Sequence, residues 1–182
     1  ALMSFFGRLN YNYQDRYLFE ANLRYDGSSK LTPSSRWAAF PSFSAGWRIT
    51  EEKFMKNLDA GWLDNLKIRG SWGQLGNQNI DNYAYQSILN FTGNYSFDDA
   101  ALSTGVAQST LSNPNIRWET TTMSDIGLDL DIFQGWNITA DWYKKRVTDI
   151  LRPSQVTGVV GLNPPTINNG TVEDTGVELG IT

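Results

Sequence analysis

Hydrophobic and polar side chains alternate along most of this chain. From Ser4 to Tyr13 the odd positions are Phe5, Gly7, Leu9, Tyr11 and Tyr13, and Phe6 is the one apolar side chain among the even positions Ser4, Arg8, Asn10 and Asn12. A period of two places the two sets on opposite sides of a pleated strand. Gln14, Asp15 and Arg16 form a short turn, after which Tyr17, Phe19, Ala21, Leu23 and Tyr25 alternate with Glu20, Asn22, Arg24 and Asp26. Two such runs around a short turn predict a hairpin. Further strands are predicted over about Phe40 to Thr50, near Leu66 to Gly76, near Ile116 to Phe133, from Trp136 onward after a tight Gln134-Gly135 turn, and around Val177 to Ile181. Between the third and fourth, Glu51 to Asn57 has helical character over a short span.

The lengths of the connections carry as much information as the strands. In order they are a short turn, the loop Gly27 to Arg36, a short helical link, the long stretch Asn77 to Asn115, a second short turn and a loop from about Asp149 to Pro165. In an antiparallel sheet this order puts every short connection at one end. Long loops at one end and tight turns at the other is the arrangement of outer-membrane barrels. Tyr11, Tyr13, Tyr17, Phe19, Phe133 and Trp136 gather at the short end, where amphipathic rings suit a lipid headgroup layer.

Composition narrows the class. Of the 182 residues, 40% are hydrophobic, 13% aromatic and only 19% charged, yet the mean hydropathy is −0.40, so apolar groups are interleaved with polar ones. The net charge of −4 speaks against a binder of duplex nucleic acid, which needs a field of Lys and Arg. With no Cys and no His, thiolate nucleophiles, disulfides, imidazole metal ligands and His-dependent triads are excluded. No run approaches the roughly 18 apolar residues of a spanning helix. Ala1 to Phe6 do not read as a signal peptide, so the chain is expected to be either cytoplasmic or an internal piece of something larger.

A soluble antiparallel sandwich would also alternate, and periodicity alone does not separate it from a membrane barrel. Two features favour the barrel. The strands reach about ten residues, against about five or six in soluble sheets. Their polar faces also carry full charges near strand centres, at Arg24, Arg69 and Asp129. About seven strands cannot close a barrel, and an open sheet in lipid leaves unpaired backbone groups at both edges. The expectation is an all-β, antiparallel transmembrane β-barrel segment, with hydrocarbon against Leu9, Leu23, Leu128 and Ile138.

Six blocks carry a resemblance. They are FGRLNYNYQDRYLFEANLRYDGSSKL (Phe6 to Leu31), RWAAFPSFSAGWRITEEKFMKN (Arg36 to Asn57), WLDNLKIRGSWGQLGNQNI (Trp62 to Ile80), LSNPNIRWETTTMSDIGLDL (Leu111 to Leu130), WNITADWYKKRVTDIL (Trp136 to Leu151) and NNGTVEDTGVELGI (Asn168 to Ile181). In this order they resemble the SusC/RagA-type TonB-dependent transporters of the Gram-negative outer membrane. The resemblance implies that residues 1–182 are a section of a roughly 22-stranded barrel, without the plug domain or the TonB box. It further implies a SusD-like surface lipoprotein as lid, energy from the TonB complex through the plug and N-terminal region, and import of glycans or peptides. No cofactor and no bond chemistry are expected. The rival reading is a soluble carbohydrate-binding β-sandwich module.

Several constellations have a chemical reading and a plainer one. Asp125, Asp129 and Asp131 share a face, near Asp141, and oxygen-rich clusters hold Ca²⁺; a charged lumen wall paired with Arg117 and Lys145 is the favoured explanation. Glu20, Asp26 and Glu119 invite comparison with a glycosidase pair, but nothing in the sequence fixes the required separation. The stretch Gly73 to Asn82 lacks the spacing and Lys-Ser/Thr pair of a phosphate loop. Ligand contact is expected instead in the long loop, from Tyr83, Tyr85, Phe91, Tyr95 and Phe97 with Asn79 and Asp81. Flat rings stack on sugar faces while amides and carboxylates take the hydroxyls.

Overall fold

In the computed structural model, which describes residues 1–58, 61–91, 93–97, 101–133 and 135–182, one antiparallel sheet of seven strands dominates. The strands are β1 (Leu2–Tyr13), β2 (Tyr17–Ser28), β3 (Trp37–Arg48), β4 (Leu63–Asn77), β5 (Glu119–Ile132), β6 (Trp136–Thr148) and β7 (Thr171–Ile181). They lie side by side in chain order, so each connection joins neighbours; the loops 29–36, 78–118 and 149–170 fall at one end and both tight turns at the other. That end carries the β1–β2 turn, the link between β3 and β4 and the β5–β6 turn. Gln134 of the last turn lies outside the described residues; next to it Phe133 adopts a left-handed φ of 52°. In the first turn Gln14 and Asp15 have φ of 52° and 54°, and Asn12 holds them by accepting from the Asp15 N–H at 3.0 Å and donating to its carboxylate at 2.6 Å. Side-chain bonds of this kind make a positive φ tolerable outside glycine.

The register confirms the alternation. Trp47, Ile68, Leu128, Ala140 and Leu179 lie opposite one another across five strands on the apolar face. The neighbouring row on the other face is Gly46, Arg69, Gly127, Asp141 and Glu178. A bulge between Leu63 and Asn65 lets Leu63 and Leu66 share the apolar side. On that face the ion pair Lys144–Glu173, 2.8 Å apart, lies toward the long-loop end of β6 and β7.

No second layer covers the apolar face among the described residues: Leu9, Leu23, Phe43, Ile126, Val177 and Leu179 are all exposed. A sandwich buries one face of each sheet against the other, so the rival reading loses its basis. The buried cluster sits elsewhere, at the long-loop end, and consists of Leu31, Phe40, Ile80, Ile116 and Trp118. Two of these residues depart from the expected strands. Ile116 and Trp118 precede β5 and pack into this cluster instead of continuing the apolar face.

Pro41 explains the opening that the cluster fills. The Arg48 N–H donates to Arg16 and the Ser28 N–H donates to Arg36, so even-numbered residues of β3 bond toward β2. By the alternation of an antiparallel ladder, Pro41 turns its nitrogen, which has no hydrogen, toward β4. The β3–β4 ladder accordingly ends at Ser42 opposite Gly73, whereas β2 pairs with β3 as far as Trp37. Phe40 lies beyond that last pair, edge-on to Trp118 with ring centroids 5.4 Å apart, and its ring rests where a side chain at Gly76 would stand. Trp118 in turn donates from Nε1 to the Arg36 carbonyl at 3.2 Å.

Candidate functional site: the loop-end cleft and the charged wall

The long stretch after β4 contains two small ribbons, Leu89–Asn90 with Ala107–Gln108 and Tyr95–Phe97 with Ala101–Ser103. It is tied to the loop after β6. Thr110 bridges Asn163, the Leu111 N–H donates to Asn163 at 3.0 Å and the Asn163 N–H to Ser109 at 2.8 Å. Asn168 completes the tie by donating to the carbonyls of Arg117 and Asp149 and accepting from the Arg117 N–H. Arg117 pairs with Asp149 at 2.5 Å, and that carboxylate raises the guanidinium's pKa. The loop after β2 joins through Lys30, whose Nζ donates to the Ile80 carbonyl at 2.6 Å.

Between the two long loops lies a cleft of about 240 Å³ lined by Asp81, Asn82, Tyr83, Gln86, Asn90 and Ser109 together with Pro164 and Thr166. Of the residues expected to meet ligand, Asp81 and Tyr83 line it. Tyr83 is exposed and held at a left-handed φ of 63°. Such strain in a side chain other than glycine directs attention to a site. Phe91 and Tyr95 are exposed elsewhere on the loop, and Asn79 is also exposed. Tyr85 is half-buried against the cluster, its Oη accepting from Gln86 at 3.1 Å. The side chain of Phe97 lies outside the described residues. The polar groups contributed by Asn82, Gln86, Asn90, Ser109 and Thr166 were not singled out as ligand contacts by sequence reasoning, because only the folding of the long loop on itself and its contact with the loop carrying Thr166 bring them together.

On the polar face of the sheet, the aspartates surround an arginine. Arg69 lies 2.6 Å from Asp141, 3.1 Å from Asp129 and 3.3 Å from Asp125, and Lys67 adds a contact to Asp129 at 3.5 Å. Gly127 sits between Arg69 and Asp141 in the register, and a Cβ there would fall 2.6 Å from the guanidinium carbon. The absent side chain is what allows the guanidinium to cross β5. The charged wall is therefore as expected in kind, but its cations are Arg69 and Lys67; Arg117 belongs to Asp149 instead, and Asp131 accepts from Asn137. Among the described residues no group of acidic side chains is arranged to hold a metal ion. Glu119 is likewise committed, accepting from Asn77 at 3.0 Å and from the Leu151 N–H at 2.9 Å.

At both ends of the apolar face the rings stack. Tyr13, Tyr17 and Trp47 form one ladder with centroids 6.4 and 6.5 Å apart, and Phe5, Trp37 and Tyr25 form another at 6.2 and 5.0 Å. The eight residue steps from Tyr17 to Tyr25 on a strand tilted by about 40° rise roughly 20 Å, close to the roughly 25 Å apolar band of a spanning barrel. No helix among the described residues is long and apolar enough to cross a membrane, which bears only on helices.

An apolar band between two ring girdles, backed by a charged wall and ended by long loops, defines a section of a transmembrane β-barrel. The chain belongs to the TonB-dependent receptor-like β-barrel family, whose model matches residues 2–182. It is 38% identical over its whole length to the TonB-dependent receptor SusC of Bacteroides thetaiotaomicron and 37% identical over 99% of it to the TonB-dependent receptor P26 of Formosa agariphila. The chain spans 18% of the length of each of these relatives. Among solved structures, the RagAB peptide transporter superposes with a TM-score of 0.87 at 29% identity, covering 99% of this chain and 19% of that one. The siderophore receptor PirA from Pseudomonas aeruginosa superposes with a TM-score of 0.64 at 12% identity, which is a likeness of fold alone.

Proposed function

We propose that residues 1–182 are part of the wall of an outer-membrane importer that binds glycans or peptides at its outer loops and passes them inward. One observation carries this reading. Among the described residues the sheet ends in two long unpaired edges, β1 and β7, and its greasy face is uncovered. In lipid each unpaired backbone group costs several kcal/mol, so further strands on both sides complete the wall. The plug, a TonB complex acting through it and a SusD-like lipoprotein lid follow from the family resemblance and belong to the same proposal. This section contributes binding and passage and no bond chemistry.

Contact with the substrate is assigned first to Asp81 and Tyr83, which share the cleft, and next to the exposed rings of Phe91 and Tyr95. The remaining candidates, Asn79, Tyr85 and Phe97, have a secondary place in the proposal. The glycan class follows from the resemblance, and the peptide class is supported by likeness to a peptide importer. Calorimetric titration of the complete, detergent-extracted transporter with oligosaccharides and with oligopeptides decides between them. One class should bind, and Asp81→Asn combined with Tyr83→Ala should weaken it about tenfold, equivalent to about 1.4 kcal/mol. A complete protein that dissolves without detergent, or that binds neither class, defeats the proposal.

A further inference from the structure

The link between β3 and β4 is fastened to the apolar side of the sheet, and by one residue above all. Glu52 accepts from the Tyr17 hydroxyl at 2.6 Å and from the Trp47 indole N–H at 3.1 Å, and its other oxygen lies 3.5 Å from Arg16. Tyr17 and Trp47 are odd-numbered residues of the apolar face and members of the ring ladder at the short-connection end. Rings of such a girdle sit at headgroup level with their polar atoms toward water. Whatever is bound to those polar atoms is thereby held at headgroup depth beside the apolar face.

Glu51 steadies the same segment by pairing with Lys56 at 2.6 Å and Arg48 at 3.5 Å. The one-turn helix Lys53–Lys56 and the residues after it then present Phe54 at 53% and Leu58 at 66% exposure. Beside them Lys53 forms no ion pair among the described residues. Apolar side chains next to a free ammonium, at the edge of an aromatic girdle, match the boundary between acyl chains and phospholipid phosphates. We infer that the Ile49–Leu58 link is a shelf lying on the periplasmic leaflet, with Phe54 and Leu58 dipping into the acyl boundary and Lys53 meeting lipid phosphate.

This inference rests on the barrel reading above, and the test separates the two. The chain has no Cys of its own. Single nitroxide labels at Phe54→Cys and Leu58→Cys, in the complete transporter reconstituted into phosphatidylethanolamine–phosphatidylglycerol vesicles, report collision with oxygen and with a water-soluble nickel chelate. Leu128→Cys serves as the buried-in-lipid control and Ser34→Cys, in an outer loop, as the aqueous one. Both link labels should fall between the controls, with nickel collision about threefold below that at Ser34 and oxygen collision above it, as an interfacial depth requires. Lys53→Glu should shift the Leu58 label toward the aqueous value in anionic vesicles and shift it less in phosphatidylcholine, whose phosphates are offset by choline. Link labels matching Ser34, or shielded from both reagents by protein, overturn the shelf. An aqueous reading at Leu128 overturns the membrane reading itself.

Discussion

The two faces of these strands differ in what completes them. On the apolar face Leu128 stands between Ile68 and Ala140 and is exposed, with no second layer among the described residues. One residue earlier, on the polar face, Gly127 lies under a guanidinium held by three carboxylates. The first face relies on hydrocarbon from outside the protein, whereas the second is completed internally by paired charges. A barrel wall thus has its tightest side-chain fitting where water has access and its loosest where lipid does. The kind of substitution tolerated should follow that division: the first face excludes charge, and the second excludes added volume where its charges are packed.

The largest effect is expected from placing a charge in the lipid. Leu128→Arg should destabilise the complete barrel by about 2–4 kcal/mol, as arginine does at the bilayer midplane. Asn22→Arg, on the polar face beside Glu20 and Arg8, should stay within about 0.5 kcal/mol. Guanidinium unfolding of the two variants in thin-bilayer vesicles measures both. Equal losses would break the assignment of faces.

Gly127 sharpens the comparison, because it is a polar-face position that should not be permissive. Valine there drives the Arg69 guanidinium out of its position between Asp125, Asp129 and Asp141, at a cost of about 1–3 kcal/mol for overfilling. The cost should fall in an Arg69→Ser background, where the Asp141 carboxylate, the far end of a rotatable side chain, is what remains in the space. A double-mutant cycle reads the coupling directly. Additive losses would mean that Asp141 or the backbone of β5, and not the guanidinium, requires the glycine.

These contrasts also mark what the sequence could tell. Alternation alone located all seven strands, and the order of connections located the short end, because both are properties of consecutive residues. The loop-end cluster was hidden: Ile116 and Trp118 continue the alternation of β5, and only the end of pairing at Asn77 opposite Glu119 turns them away from the face. Pro41 was visible as a proline, but its effect depends on which neighbour its nitrogen faces, and that is a matter of register. Pairing Asp129 with Lys67 and Arg69 likewise required knowing how β4 aligns with β5 across the longest loop. The cleft followed the same rule, since Asp81 and Tyr83 were legible as loop residues while their partners Pro164 and Thr166 arrive from a different loop.

The smallest expected effect lies at the margin between the two faces, where Glu52 fastens the link. Hydrogen bonds from Tyr17 and from Trp47 lower its pKa, while partial desolvation opposes them and Arg16 assists. A carboxylate whose folded pKa is depressed contributes stability that is complete above its unfolded pKa, near 4.3, and is lost as pH falls through the lower folded value. Hydrogen exchange across residues 49–58 should therefore be flat from neutral pH down to about pH 5, once the intrinsic pH dependence of exchange is removed, and accelerate below that. Glu52→Gln keeps an acceptor but not the charge and should abolish the pH step while leaving the strands protected. A step that persists in Glu52→Gln would assign it to Glu51, whose pKa is lowered by Lys56 in the same segment.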